Sequence, residues 1–441
     1  MEDMRKVVDE LVFGDGVSRP MDISATRLNN NVVVVGSTGA GKTTAYTEAN
    51  LLSFSECSVV VSMSKRVLAD RYAEEYERRG YEVAVVDLAE PSASPWGYDP
   101  LAMVRNAEDV SDLAREVVQA NAEHEQDPYW SNSAAVLLEA LLLASLEMRR
   151  VDASLPPASI SDAIDLFEEL SFRDGRGGVS ESTLDHLFET LEMKDPCSEA
   201  AAKWRSVKGL AYKTVSCVYS TLSVALSKMF TRSVKDVCAS ERLFDPSSLG
   251  VKKTALFIIT SPVNLAAHSF CQLMYGGIFK SLFELAEASP GYAVPVPVHV
   301  ICDDFAVGAK IASFPGTISV MRSAGVSVSL LIQSRRQLAA MYGEVGASII
   351  WDNCDTAVYI GSTNSDDTAR EVASRLDVPP SRVLAMPADE AVVIQRGRRP
   401  VVCRVFPTLT DERRVRILQG EAPHKNNFAH RQENLSAEGR L

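Results

Sequence analysis

No stretch of this chain is long and apolar enough to cross a bilayer. Its longest apolar run, residues 134–146, is interrupted by Glu139 and falls short of the roughly 20 residues a spanning helix needs. The first thirty residues carry Glu2, Asp3, Arg5, Lys6, Asp9 and Glu10, so they read as neither signal peptide nor membrane helix. Positive charge is also short. Lys and Arg number 45 against 58 Asp and Glu, and the net charge of −13 excludes a chain that coats nucleic acid over its whole surface; any such contact is confined to a local basic channel. The eight cysteines, at 57, 197, 217, 238, 271, 302, 354 and 403, form no C-x-x-C pair and no zinc spacing with histidine. Most sit in apolar surroundings, as reduced thiols do in a cytosolic protein. Internal repeats and extended low-complexity segments are absent too. What remains is a globular composition, 46% hydrophobic and 23% charged over 441 residues, enough for two or three compact units.

Within it, four consecutive β-branched residues, Val32, Val33, Val34 and Val35, read as a buried strand, and Gly36, Ser37, Thr38, Gly39, Ala40, Gly41, Lys42, Thr43 and Thr44 follow at once. Residues 44–52 continue as a helix. Strand, Gly-x4-Gly-Lys-Thr turn and helix in this order make a phosphate-binding loop. A triphosphate has to be wrapped by backbone N–H groups, and glycines let the chain approach it without Cβ clashes. Lys42 would reach the β and γ phosphates, the Thr43 hydroxyl would sit on Mg²⁺, and the helix would turn its positive N-terminus to the anion.

From residue 32 to 88 the pattern alternates strand and helix, with strands at 59–61 and 83–88 and a charged helix over 67–80 that Gly80 stops. Such alternation predicts right-handed crossovers and a mostly parallel sheet, an α/β fold. From about 100 to 250 the periodicity is helical, with a buried helix over 134–148 and a long one over 208–229. Alternation resumes with strands at 255–260, 298–302, 326–332 and 357–360, a helix over 265–288, and a hairpin over 391–405 turning at Arg396-Gly397-Arg398-Arg399. The polar, unpatterned residues 420–441 read as mobile.

The remaining chemistry falls at strand ends. Val298-His299-Val300-Ile301-Cys302 runs into Asp303 and Asp304; Asp303 would hold Mg²⁺ through water and Asp304 would orient or deprotonate the attacking water, or both are solvated acids at a strand end. Gln333 closes another apolar strand, as a γ-phosphate sensor or as a bland loop glutamine. Arg322 precedes that strand and either reaches a neighbouring subunit's γ-phosphate or makes a surface salt bridge. Lys203, Trp204, Arg205, Lys208 and Lys213 form a basic cluster in which Trp204 either stacks on a base or anchors a helix.

These residues together resemble the conjugative coupling proteins of type IV secretion systems, the TraG/TraD type. Besides the phosphate loop, the resemblance covers Asp127-Pro128-Tyr129-Trp130, Asp303-Asp304-Phe305-Ala306, Arg322-Ser323, Gln333-Ser334, Asn353-Cys354-Asp355-Thr356, Gly361 and Pro387-Ala388-Asp389-Glu390-Ala391 followed by Arg396-Gly397, in that order. It implies a RecA-like nucleotide-binding domain, 1–99 and 248–410, interrupted by an all-α domain, 100–247, with 411–441 as a partly mobile extension. It further implies ATP and Mg²⁺ as cofactors, assembly as a hexameric ring, and delivery of relaxase-bound single-stranded DNA to a secretion channel, with the α domain meeting the relaxosome. Three departures stand out. Met63-Ser64-Lys65-Arg66-Val67 replaces the usual Asp-Pro-Lys-Gly-Glu, Asp304 stands where glutamate is usual, and the family's amino-terminal membrane helices are not in the sequence, which leaves two readings: a cytoplasmic protein held at the inner face of the membrane by a partner, or a shortened chain.

Three functions therefore remain in play: an ATP-driven coupling motor, a low-turnover nucleotide-binding adaptor that recruits substrate proteins, and a duplex-DNA translocase of the septal type.

Overall fold

The four valines of Val32–Val35 are buried on both faces of a strand, the burial that their uninterrupted β-branched run dictates for the centre of a parallel sheet. The computed structural model describes residues 9–120, 127–174, 180–303, 305 and 310–419. The chain divides into two units, Met1–Asp87 with Pro246–Pro262 and Ile278–Leu441, and Leu88–Asp245 with Val263–Gly277.

The first unit opens with a hairpin, β1 (Glu10–Gly14) and β2 (Val17–Pro20), and then lays down β3 (Val32–Val35), β4 (Ser58–Met63) and β5 (Glu82–Asp87). The second unit contributes a small ribbon, β6 (Phe172–Asp174) and β7 (Ser180–Ser182). Back in the first unit follow β8 (Thr254–Ile259), β9 (Val298–Cys302), β10 (Val326–Ile332), β11 (Thr356–Ile360), β12 (Glu390–Gln395) and β13 (Val401–Arg404). Among the described residues, nine of these strands form one sheet in the order β13-β12-β11-β3-β10-β9-β4-β8-β5. From β11 to β5 every pairing is parallel, and β12 and β13 are antiparallel additions at one end. β13 has two half-exposed valines, Val401 and Val402, and at its far end the Arg404 carbonyl accepts the Asp15 N–H of the first hairpin's turn at 2.8 Å. Gly14 makes this approach possible, because a Cβ there would lie 2.4 Å from Cys403 Sγ.

Helices cover the sheet through an aromatic-rich core in which Phe13, Tyr46, Phe54, Tyr72, Tyr76 and Phe257 are buried. Asn50 ties the hairpin to the helix behind the phosphate loop, its amide taking the Val12 N–H and giving to the Val12 carbonyl, each at 2.9 Å, as a strand neighbour would. Such double satisfaction is what a buried amide requires.

The second unit is built around the helix Pro128–Val151, N-capped by Asp127, whose carboxylate accepts the Tyr129 N–H. Glu139, the charge inside the apolar run, is buried there and paired with Lys203 at 2.7 Å and with the Ser111 hydroxyl. Among its described residues the unit's regular structure is helical apart from the ribbon β6–β7, which the helical reading of this region did not foresee. Residues 88–99 and 263–277 belong to it as well: Tyr98 stacks edge-on to Phe270 at 6.1 Å, and Gly277 leaves room for the Tyr98 hydroxyl. No helix among the described residues is long and apolar enough to cross a membrane.

Candidate nucleotide-binding site

The loop after β3 leaves the sheet with the Gly36 N–H on the Ile332 carbonyl of β10 at 3.2 Å and turns on itself through the Ala40 N–H, which donates to the Ser37 carbonyl at 3.1 Å. Its glycines answer two different demands. A Cβ on Gly36 would stand 3.1 Å from both the Ile360 carbonyl oxygen and Lys42 Cγ, so position 36 lacks space. Gly39 and Gly41 face open space but have φ of +79° and +80°, the left-handed region that L side chains avoid. Lys42 is buried, and its ammonium reaches back over the loop to the Gly36 and Ser37 carbonyls at 2.8 and 3.3 Å. Thr43 opens the following helix, whose first stretch, Thr43–Glu48, is wound in π turns before Ala49–Ser53 continues as α-helix. Propensity gives no sign of that winding, which is rare and concentrates at functional sites.

A cleft of 670 Å³ opens beside the loop, and Ser37, Thr38, Gln333, Arg336 and Arg370 are among the residues that line it. Gln333 is thus brought to the loop from the end of β10, its N–H held by Gln337 Oε1 at 2.7 Å. Arg336 was not singled out in the sequence; it is paired with Asp367. Asp303, the first residue past β9, is buried with its N–H on the Ser62 carbonyl at 3.0 Å. Because β3, β10 and β9 are parallel neighbours, Asp303, Gln333 and the loop share one carboxyl edge, with Asp303 roughly 10 Å across at about 4.8 Å per strand. Asp304 lies outside the described residues.

Arg322 is not at this edge. It is exposed in the last turn of the helix Phe314–Ala324, which leads into the amino end of β10. The seven residues of β10, at about 3.3 Å each, separate it from Gln333 by roughly 20 Å. It forms no ion pair with another described residue.

Beneath the edge lies a polar network that the sequence reading missed. His299, fully buried in β9, has Nδ1 2.8 Å from Ser327 Oγ and Nε2 2.8 Å from Ser329 Oγ, and Ser329 Oγ is 2.7 Å from the Tyr46 hydroxyl. Burial, helped by the positive charge of Arg19, pushes the imidazole pKa down to about 3, so it is neutral at physiological pH. A histidine amid valines was the available signal.

Four residues of the basic clusters are answered locally by acids, and among the described residues Lys213, Arg398 and Arg399 are not. Trp204 is 4% exposed, stacked on Phe188 at 4.3 Å, with Nε1 donating to Asp185 at 3.1 Å. It anchors its helix and has no free face for a base. Lys203 pairs with Glu139, Arg205 with Glu192 and Lys208 with Asp185. Arg396 forks onto Asp355 at 2.5 and 2.9 Å, a carboxylate that also takes the Asn29 N–H. In the divergent 63–67 segment, Arg66 bridges Asp87 at 2.8 Å and Asp70 at 3.0 Å. All eight cysteines are free thiols, and no group of three or more His, Cys, Asp or Glu converges among the described residues.

Known proteins share this fold. The bacterial conjugative coupling protein TrwB, in a trigonal form with sulfate, is 18% identical, with a TM-score of 0.64 over 91% of this chain and 90% of that one. TrwB in complex with ADP and Mg²⁺ gives 17%, 0.63, 91% and 90%. VirB4 of Thermoanaerobacter pseudethanolicus is similar at 12% identity and a TM-score of 0.54, over 91% and 96%. These likenesses make the fold RecA-like with a P-loop. No curated protein sequence matches significantly. The family model for type IV secretory system conjugative DNA transfer matches residues 3–377, and the chain belongs to that family.

Proposed function

We propose that this protein is a P-loop ATPase that couples ATP hydrolysis to the delivery of relaxase-bound single-stranded DNA into a type IV secretion channel. The observation that carries the reading is the convergence of the Gly36–Thr44 loop, Gln333 and Asp303 on one edge of the parallel sheet.

The residues present fit ATP and Mg²⁺. The left-handed glycines and the crowding at Gly36 make a cradle of backbone, and Lys42 already spans it. A hydroxyl and a carboxylate, from Thr43 and Asp303, are hard oxygen donors, and few protein ligands suffice for an ion that keeps water and phosphate oxygens. When bound, Mg²⁺ neutralises charge on the β and γ oxygens. Lys42 would exchange its carbonyl partners for phosphate, Asp303 would steady the ion's water, and Asp304 would orient the attacking water. Gln333 would report the γ-phosphate. Arg322, about 20 Å away along β10, is out of reach of its own subunit's site; in a head-to-tail homo-oligomer closing as a hexamer it would serve the neighbour's site instead. Attachment at the inner face of the cell membrane would then come through a partner protein.

ATP turnover tests the proposal. Stimulation by single-stranded DNA, with loss of turnover on Lys42→Ala, is the expected result; no stimulation and no loss would reject the motor. One observation favours a second reading, the low-turnover adaptor: of the cluster's basic residues Lys203, Arg205 and Lys208 are matched by acids and, among the described residues, Lys213 alone is not, so most of this charge is already answered by protein rather than held for phosphate. Tight ATP binding without turnover, together with relaxase capture, would make the adaptor the better account.

A further inference from the structure

Three acceptors spaced four residues apart on the helix behind the P-loop are held by one later segment. The Thr408 hydroxyl donates to the Thr44 carbonyl at 2.7 Å, Arg414 Nε to Glu48 Oε2 at 2.9 Å, and Arg413 Nη1 to the Leu52 carbonyl at 3.2 Å. Positions 44, 48 and 52 make one row along that helix. Two of the three contacts rest on buried groups: Thr408 is 1% exposed, and the Glu48 carboxylate, 4% exposed, also takes Arg71 at 2.6 Å and the Tyr72 hydroxyl at 2.9 Å. Arg413 is itself aimed by Asp411, whose carboxylate accepts its Nε at 3.0 Å and its Nη2 at 2.9 Å. Ile417, on the helix Glu412–Gln419, packs against the core.

The row coincides with the π-wound stretch Thr43–Glu48. Winding of this kind is unfavourable unless its surroundings hold it, and the strap's first two contacts fall on its second and last residues. The residue it starts from is Thr43, so whatever fixes the winding also fixes the direction of the Thr43 hydroxyl and of the first N–H groups of the helix.

We propose that residues 408–414 are a positioning strap: by gripping Thr44, Glu48 and Leu52 they hold the P-loop helix in its π-wound form, and docking of the strap and binding of a nucleoside triphosphate are one coupled equilibrium. The idea rests on the P-loop reading. Linkage makes it reciprocal, since a strap that raises nucleotide affinity must itself be held more firmly when nucleotide is bound. A brace that serves folding alone has neither property.

The test uses the full chain and a non-hydrolysable ATP analogue with Mg²⁺. Thr408→Val removes only the hydroxyl that reaches Thr44, and Arg414→Lys keeps the charge but not the Nε–H that meets Glu48. Calorimetry is expected to show analogue binding weakened about fivefold to tenfold in each folded variant, a typical coupling. In the wild-type protein, hydrogen exchange at residues 408–419 is expected to slow when the analogue binds. Wild-type affinity in both variants, or exchange indifferent to nucleotide, would overturn the strap while leaving the P-loop intact. If the wild-type chain fails to bind the analogue, the nucleotide reading falls first and the strap with it. Should a variant unfold, the exchange measurement on the wild-type protein decides alone.

Discussion

The hydroxyls of Tyr46 and Ser329 lie 2.7 Å apart in the protein interior, joining the helix behind Lys42 to the strand that ends beside Gln333. His299 completes the link from β9, so the three elements that build the nucleotide edge are locked by one buried polar network. Its weakness is acid. A group whose folded pKa is depressed from 6.5 to about 3 contributes stability that is present above 6.5 and is lost as pH falls towards 3. Asp99, in the other unit, slopes the opposite way: burial raises its pKa from 3.8 to about 6, so its contribution is present below 3.8 and disappears as pH rises through 6. Comparison with His299→Asn separates the two. The wild-type advantage over that variant in denaturant unfolding is expected to shrink by about 2 kcal/mol between pH 7 and pH 5, at 1.36 kcal/mol per unit. An advantage that does not change with pH would mean the imidazole is not held neutral.

Trp204 is a core residue of the second unit, packed between Phe188 and Phe172. Trp204→Ala is expected to destabilise that unit by about 3–5 kcal/mol, read as a lowered unfolding midpoint. Trp204→Phe, which keeps the stack, is expected to leave single-stranded DNA affinity unchanged; a tenfold loss there would restore the base-stacking role.

Arg396 holds a buried carboxylate from an exposed position. Its replacement by alanine is expected to cost roughly 1–3 kcal/mol, much of it from leaving Asp355 short of a partner. In a double-mutant cycle with Asp355→Asn most of that cost should vanish, and full additivity would show that the two side chains do not cooperate.

The loop glycines should separate by mechanism. Gly41→Ala meets no neighbour but forces a left-handed alanine, at about 1–2 kcal/mol, so stability changes modestly while analogue affinity falls. Gly36→Ala pushes on Lys42 and the Ile360 carbonyl, and both stability and affinity are expected to drop. Equal behaviour of the two variants would contradict the division drawn from the backbone.

Much of the first unit was legible. Runs such as Val326–Ile332 and Val298–Cys302 are mostly apolar because both faces of a parallel strand are covered, and they fall where the pattern put them. The phosphate loop was equally plain, since its residue types follow from local backbone needs. Two kinds of feature were hidden. The hairpin β1–β2 and the ribbon β6–β7 are short, with little pattern of their own. The contacts of Arg414 with Glu48 and of Ser329 with Tyr46 join residues 366 and 283 positions apart, and no local rule pairs a given arginine with a given glutamate over such a span.

The first hairpin's turn, resting on the Arg404 carbonyl through Asp15, has a bearing on how copies of the chain can associate. An outermost strand with unused amides invites a neighbour to extend it, yet here that margin is partly occupied and is flanked by the arginines of the adjoining bend. Lateral fusion of sheets between molecules is therefore discouraged at this end of the sheet.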